Sequence, residues 1–244
     1  MPTTTATKKV SKTESGHAKN IANFGALVNS VESMGKSYNP SVADISLANL
    51  KILKTSLDKS LPAVFAAEAP YKIAVNKRQA AFDGMSKLAT RVINALAVGG
   101  SDREIKDAKG ILKKIRGESA IKPEDPAQAA KTRSTSQMSY VNRVKNFKEL
   151  TALLDAIPAY KPNEADLKVT ALNAYLDKLP GLGVTVNKTA LALTKARTDR
   201  DRLLYAKGTG ALAISLKVKK YVKSMFGATT PQSKAISKIV FYAR

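Results

Sequence analysis

Two stretches of this chain are copies of one another, and that duplication restricts the fold more than any other property. Residues from about Ser15 to Arg116 correspond to those from about Met138 to Val240. Ile21, Asn23-Phe24 and Leu27 in the first copy face Val144, Asn146-Phe147 and Leu150 in the second. A longer match follows. Tyr38-Asn39-Pro40-Ser41-Val42-Ala43-Asp44-Ile45 faces Tyr160-Lys161-Pro162-Asn163-Glu164-Ala165-Asp166-Leu167, and Leu47 and Leu50 then face Val169 and Leu172. Beyond this, Arg78 and Phe82 lie near the equivalents of Arg200 and of Leu204 or Tyr205, and Gly84 falls near Gly208. Gly99-Gly100-Ser101-Asp102 matches Gly227-Ala228-Thr229-Thr230 after a short insertion.

The shared blocks have a helical period. Ile21, Phe24, Val28 and Val31 step by three, four and three, and Val144, Phe147, Leu150 and Leu154 do much the same, which lines one face of a helix. Apolar residues make up 44% of the chain, mostly Ala, Leu, Val and Ile, while aromatic residues are 6% and Trp is absent. That supply fills closely approaching helices, and no stretch alternates with period two. Helices are expected over 15–36, 42–59, 61–82, 85–98 and 102–115 in the first copy. In the second they are expected over 138–156, 164–178, 184–206, 211–226 and 231–241. Gly84 marks a possible kink that a longer helix tolerates. In the Tyr-x-Pro block, Ser41 and Asn163 read as N-caps, with Asp44 and Asp166 three residues on as capping-box acids. Ser101 reads as a further N-cap.

The fold class expected is therefore all-α: two tandem, duplicated up-and-down helical bundles of four to five helices each. Copy one occupies 15–116 and copy two 138–244. A Pro-, Glu- and Ser-containing linker joins them over 117–137, and a basic, Thr-rich tail over 1–14 reads as disordered. Cleavage of that linker is expected to leave both bundles folded.

Charge is the second constraint. Nineteen basic residues stand against 10 acidic ones in 1–120 and 22 against 9 in 121–244, so the net +22 is spread over both copies. Such a field attracts nucleic acid or another polyanion, or an acidic protein partner. The phosphate-binding candidates are Lys217, Lys219, Lys220 and Lys223 in copy two, with Lys87, Arg91, Lys113, Lys114 and Arg116 in copy one. Lys219, Lys220 and Lys223 are expected to point away from the stripe of Ile214, Val218, Tyr221 and Met225, with Lys217 flanking it. A solvated lysine face accounts for the same residues, and both readings stand at this point. Lys outnumbers Arg in these clusters, which suits phosphate contacts rather than base-edge forks.

Chemistry is sparse. The chain has no Cys and a single histidine, His17, so thiolate sites, a His-ligated metal cluster and a duplicated catalytic site are all excluded. Gly208-Thr209-Gly210 lacks the Lys-Ser/Thr of a phosphate-binding loop. No catalytic residue, metal or cofactor is expected. No apolar run approaches the roughly 20 residues of a transmembrane helix. Residues 1–20 lack the apolar core of a signal peptide, so cytoplasm is the default, although export without a cleaved signal would leave no trace.

The Asn-Phe and Tyr-x-Pro-Asn/Ser blocks resemble those of uncharacterised tandem helical-bundle proteins of the Bacteroidota group. So does the late segment Tyr221-Val222-Lys223-Ser224-Met225-Phe226-Gly227-Ala228. The resemblance covers nearly the whole chain. It implies a fold of helical bundles and no activity. The function expected from the residues is a non-enzymatic, basic architectural protein that binds nucleic-acid phosphate with little sequence specificity. The alternative is a structural or scaffolding subunit of a larger protein assembly, with copies of itself or an acidic protein as partner.

Overall fold

A computed structural model of the chain describes residues 16–118 and 138–243. The expected tail over 1–14 and nearly all of the expected linker over 117–137 lie outside these residues. Among the described residues the chain is all-helical, with no strand. The helices are α1 (His17–Glu32), α2 (Leu47–Asp83), α3 (Met85–Leu96), α4 (Asp102–Arg116), α5 (Tyr140–Asp155), α6 (Val169–Tyr205), α7 (Ala211–Phe226) and α8 (Pro231–Ser237).

The largest departure from expectation is length. The helices expected at 42–59 and 61–82 are one 37-residue helix, α2, and those expected at 164–178 and 184–206 are one 37-residue helix, α6. Helix α2 runs through Pro62 and Pro70, and α6 through Pro180. An interior proline removes a backbone hydrogen bond and costs about 3 kcal/mol, which works against an unbroken helix there. The apolar register does not break. Leu50, Leu57 and Val64 are buried at seven-residue steps in α2, as are Leu172, Leu179, Val186 and Leu193 in α6. Continuous burial on one face outweighs the missing bonds. The true interruption falls at Gly84, where α2 gives way to α3.

The chain forms two compact units. Unit one contains the described residues up to Ala69 together with those from Leu191 onward; unit two contains those within Pro70–Ala190. Helices α2 and α6 thus contribute residues to both. The core of unit one gathers Phe24, Leu27, Val28 and Val31 of α1 and Leu50 and Leu57 of α2. Leu204 of α6, Ile214, Val218 and Val222 of α7, and Ile236 of α8 complete it. The core of unit two gathers Phe82 of α2, Met85, Val92 and Leu96 of α3, and Ile111 and Ile115 of α4. Phe147 and Leu150 of α5, with Leu172, Leu176 and Leu179 of α6, complete it. Each unit therefore combines the early segments of one repeat with the late segments of the other.

The repeats survive as local geometry. In unit one, the Tyr38 hydroxyl donates to the Ile45 carbonyl at 2.7 Å; in unit two, the Tyr160 hydroxyl donates to the Leu167 carbonyl at 2.6 Å. These bonds close the Tyr-x-Pro loop over a single 3-10 turn, Ala43–Ile45 or Ala165–Leu167. The long helices start two residues later, at Leu47 and Val169, so Ser41 and Asn163 are not N-caps. Asp44 and Asp166 are not capping acids either. Each reaches a cation on a helix of the other repeat: Asp44 pairs with Lys217 at 2.9 Å, and Asp166 with Arg91. Charge attraction across the fold replaces the local cap, because the helix starts too late for the carboxylate to serve it.

Tyr160 is buried, and burial first, then Glu164 and Asp166, pushes its phenol up to about 12. The folded protein holds the neutral form. That stabilisation is present below the ordinary tyrosine value of about 10 and is lost as pH rises from there toward 12. At pH 7, Tyr160→Phe leaves the Leu167 carbonyl without its donor and is expected to cost about 1–3 kcal/mol. Urea denaturation of the two proteins checks this; an unchanged midpoint would show that the hydroxyl does not close the loop.

Candidate functional site

Helix α4 of unit two is built from both ends. The Ser101 hydroxyl accepts from the Glu104 backbone N–H at 3.4 Å, and the Ser101 N–H donates to the Glu104 carboxylate at 2.8 Å. The Ser101 N–H, and then its hydroxyl, which donates to the same carboxylate at 2.8 Å, hold the Glu104 carboxyl below its usual range. At the other end Gly117 takes the left-handed conformation (φ 70°), which lets the Gly117 and Glu118 N–H groups cap the Lys114 and Lys113 carbonyls. Ala108, Ile111, Leu112 and Ile115 face the core. Lys106, Lys109, Lys113 and Arg116 are exposed. At 100° per residue these four fall within an arc of about 80° on the outer face. Between Lys106 and Arg116 no carboxylate shares that arc. Lys114 lies off it and binds Glu149 at 3.0 Å. Arg116 contacts the Thr90 hydroxyl at 2.8 Å and Glu118 at 3.4 Å.

The other expected phosphate contacts divide between tied and free cations. In unit one, Lys217 is held by Asp44. Lys219 does not point away, as expected. It is half-buried, lies 5.7 Å from the Phe241 ring and donates to the Ile239 carbonyl. The segment that follows α8 covers it, and burial, then Lys223, lowers the affinity of its amine for a proton. Lys220 and Lys223 are exposed, with no acidic partner among the described residues. In unit two, Arg91 is held by Asp166, whose hydrogen bond raises the guanidinium pKa and lowers that of the carboxyl. Lys87 is exposed. Lys87, Lys113, Lys220 and Lys223 thus remain open to solvent, while Lys217, Lys219, Arg91, Lys114 and Arg116 bind within the fold. Sequence reasoning missed Lys106, although its three- and seven-residue spacing to Lys109 and Lys113 is the helical signal.

His17 opens α1 and stays within the fold. Its Nδ1 lies 3.0 Å from the Tyr205 hydroxyl and 3.7 Å from the Asp201 carboxylate. No group of three or more His, Asp or Glu side chains arranged to hold a metal occurs among the described residues.

Unit two also holds a cavity of about 320 Å³ between α2, α5 and α6, walled by Phe82, Tyr140, Val144, Leu179 and Gly183. Arg78 lies at its edge with the guanidinium carbon 4.2 Å above the Tyr140 ring. The sequence signal for this site is Pro180-Gly181-Leu182-Gly183, two glycines and a proline inside one helix.

No helix among the described residues is long and apolar enough to cross a membrane. No protein-family model, curated protein or solved structure matches the chain.

Proposed function

We propose that this protein acts without catalysis, as a basic helical module that binds nucleic acid through the phosphate backbone with little regard to base sequence. The observation that carries this reading is the outer face of α4, where Lys106, Lys109 and Lys113 line up with no carboxylate between them. Most carboxylates elsewhere are spent on internal pairs: Asp44 on Lys217, Asp166 on Arg91, Glu149 on Lys114 and Asp199 on Lys195. Lys87, Lys113, Lys220 and Lys223 are left exposed, within a chain of net charge +22. Lysine meets phosphate as a mobile point charge, which supports backbone rather than base recognition. Lys87 on α3 and Lys220 and Lys223 on α7 give further contacts, and several weak contacts on one chain add avidity.

Salt-titrated binding to duplex DNA and RNA of unrelated sequences tests this. The triple variant Lys106→Gln, Lys109→Gln, Lys113→Gln is expected to fold normally, since none of the three faces the core. It should bind every sequence more weakly, with the salt slope flatter by about one unit per phosphate contact removed. A wild-type protein that binds neither duplex at low salt would overturn the proposal. The second reading, a subunit of a protein assembly, draws on exposed apolar side chains: Ile52, Phe65 and Leu191 in unit one, and Val98 in unit two. Sedimentation showing a defined oligomer, together with absent nucleic-acid binding, would put that reading first.

A further inference from the structure

Repeat equivalence makes the cavity of unit two unusual. The register set by Tyr38 and Tyr160, Leu50 and Leu172, and Leu57 and Leu179 places Gly183 opposite Leu61. Leu61 is partly buried against the core of unit one. At Gly183 a Cβ would meet nothing within 4 Å, and the same holds at Gly181. Glycine is among the poorest residues for a helix interior, so the second repeat keeps weak helix formers where the first keeps a leucine that packs. The outcome is open space against Phe82, Tyr140 and Leu179.

The charges differ in the same way. The register of α2 and α6 puts Arg200 opposite Arg78 and Asp201 opposite Gln79. In unit one the arginine is satisfied internally: Arg200 binds Asp201 at 2.7 Å, and Asp201 also lies 3.7 Å from His17. In unit two the acid is replaced by Gln79, and Arg78 forms no ion pair among the described residues. Its Nε is buried with no hydrogen-bond partner. Its guanidinium rests on the Tyr140 ring, a contact that orients the cation without neutralising it. No carboxylate lines the cavity, and the Asn187 amide stands at its margin.

We propose that this cavity binds a small organic anion, a monocarboxylate or monosulfonate with an aromatic or short aliphatic body. The acid group meets Arg78, and the body lies against Gly183 and the Phe82 and Tyr140 rings. An apolar chamber with a few convergent polar groups is the usual form of a small-molecule site, and about 320 Å³ is at the small end of such sites. Guanidinium takes a carboxylate or sulfonate through paired N–H donors, and burial of its Nε strengthens the demand for an anion.

The test uses the intact protein with two probes, 1-anilinonaphthalene-8-sulfonate followed by fluorescence and octanoate followed by calorimetry. The expected result is saturable binding at one site, with each probe displacing the other. Gly183→Leu, which installs the residue of the first repeat, should weaken both probes at least tenfold without lowering the thermal midpoint. Arg78→Gln should weaken octanoate at least tenfold and leave octanol unchanged. The double variant Lys106→Gln, Lys113→Gln, which removes charge elsewhere, should leave both probes unaffected. If Gly183→Leu does not fold, the octanoate and octanol affinities of Arg78→Gln decide. Three results would each overturn the proposal: no saturable binding, an equal loss in the lysine variant, or self-association of the wild type that Gly183→Leu abolishes. The last would mean that a second copy covers the cavity.

Discussion

Expressed apart, residues 1–118 and 138–244 are each expected to lose more than about half of their helicity, and to regain it when mixed. The reason lies in the composition of the cores. Phe24, Leu27, Val28 and Val31 bury their side chains with Leu204, Ile214, Val218, Val222 and Ile236, which belong to the other repeat. Likewise Met85, Val92, Leu96 and Ile115 bury theirs with Phe147, Leu150, Leu172 and Leu176. A lone repeat would leave one side of every such contact in water. Each buried Leu, Val or Phe contributes about 1.5–3 kcal/mol, so the loss over a dozen residues exceeds the whole stability of an ordinary domain. A 16-residue helix such as α1 is marginal by itself. Circular dichroism of each fragment and of their mixture checks this. Two fragments that melt cooperatively and independently would show that each repeat closes its own core, the behaviour that the repeat boundaries suggest.

Phe24→Ala and Phe147→Ala are expected to cost about 3–5 kcal/mol each, the largest effects of any single substitution discussed. Both rings are fully buried, at corresponding places on α1 and α5. Their surroundings are not identical. The Phe147 ring packs edge-on against Tyr175, with centroids 5.8 Å apart, and the Tyr175 hydroxyl in turn donates to the Ala81 carbonyl at 2.7 Å. An aromatic pair adds about 0.5–1.5 kcal/mol beyond burial, so Phe147→Ala should be the worse of the two. Denaturant midpoints with unchanged slopes give the comparison. A midpoint that stays put for either variant would place that ring outside a core.

Much of this was legible from the residues alone. The three-four spacing around Phe24 and Phe147 identified two core faces correctly, because a helix repeats its exposure every 3.6 residues whatever it packs against. Ser101 declared a helix start, and it caps α4 as expected, with the Glu104 carboxylate bonding back to it. The basic residues were countable, but their use was not. Lys217 and Lys219 look as available as Lys220 and Lys223 in a string of letters. Only the approach of Asp44 and of the Phe241 ring separates them. The Asp44 and Asp166 carboxylates misled for a related reason, since a local cap and a distant cation ask for the same residue.

The all-helical character, the apolar faces and the surplus of positive charge were legible in the residues, because each depends on composition or on near neighbours in the chain. The residues also carried the seven-residue rhythm of Leu50, Leu57 and Val64, and of Leu172, Leu179, Val186 and Leu193, which runs on past Pro62 and Pro180. Tertiary structure alone decided which helix closes which core. Two repeats with the same apolar pattern offer interchangeable partners, so no residue count says whether a face is covered from within its own repeat or from the other. The fusion of two expected helices into α2, and of two into α6, settles it. Each 37-residue helix gives residues to both cores, Leu50 and Phe82 from α2 and Leu204 and Leu172 from α6, so each core draws on early and late parts of the chain.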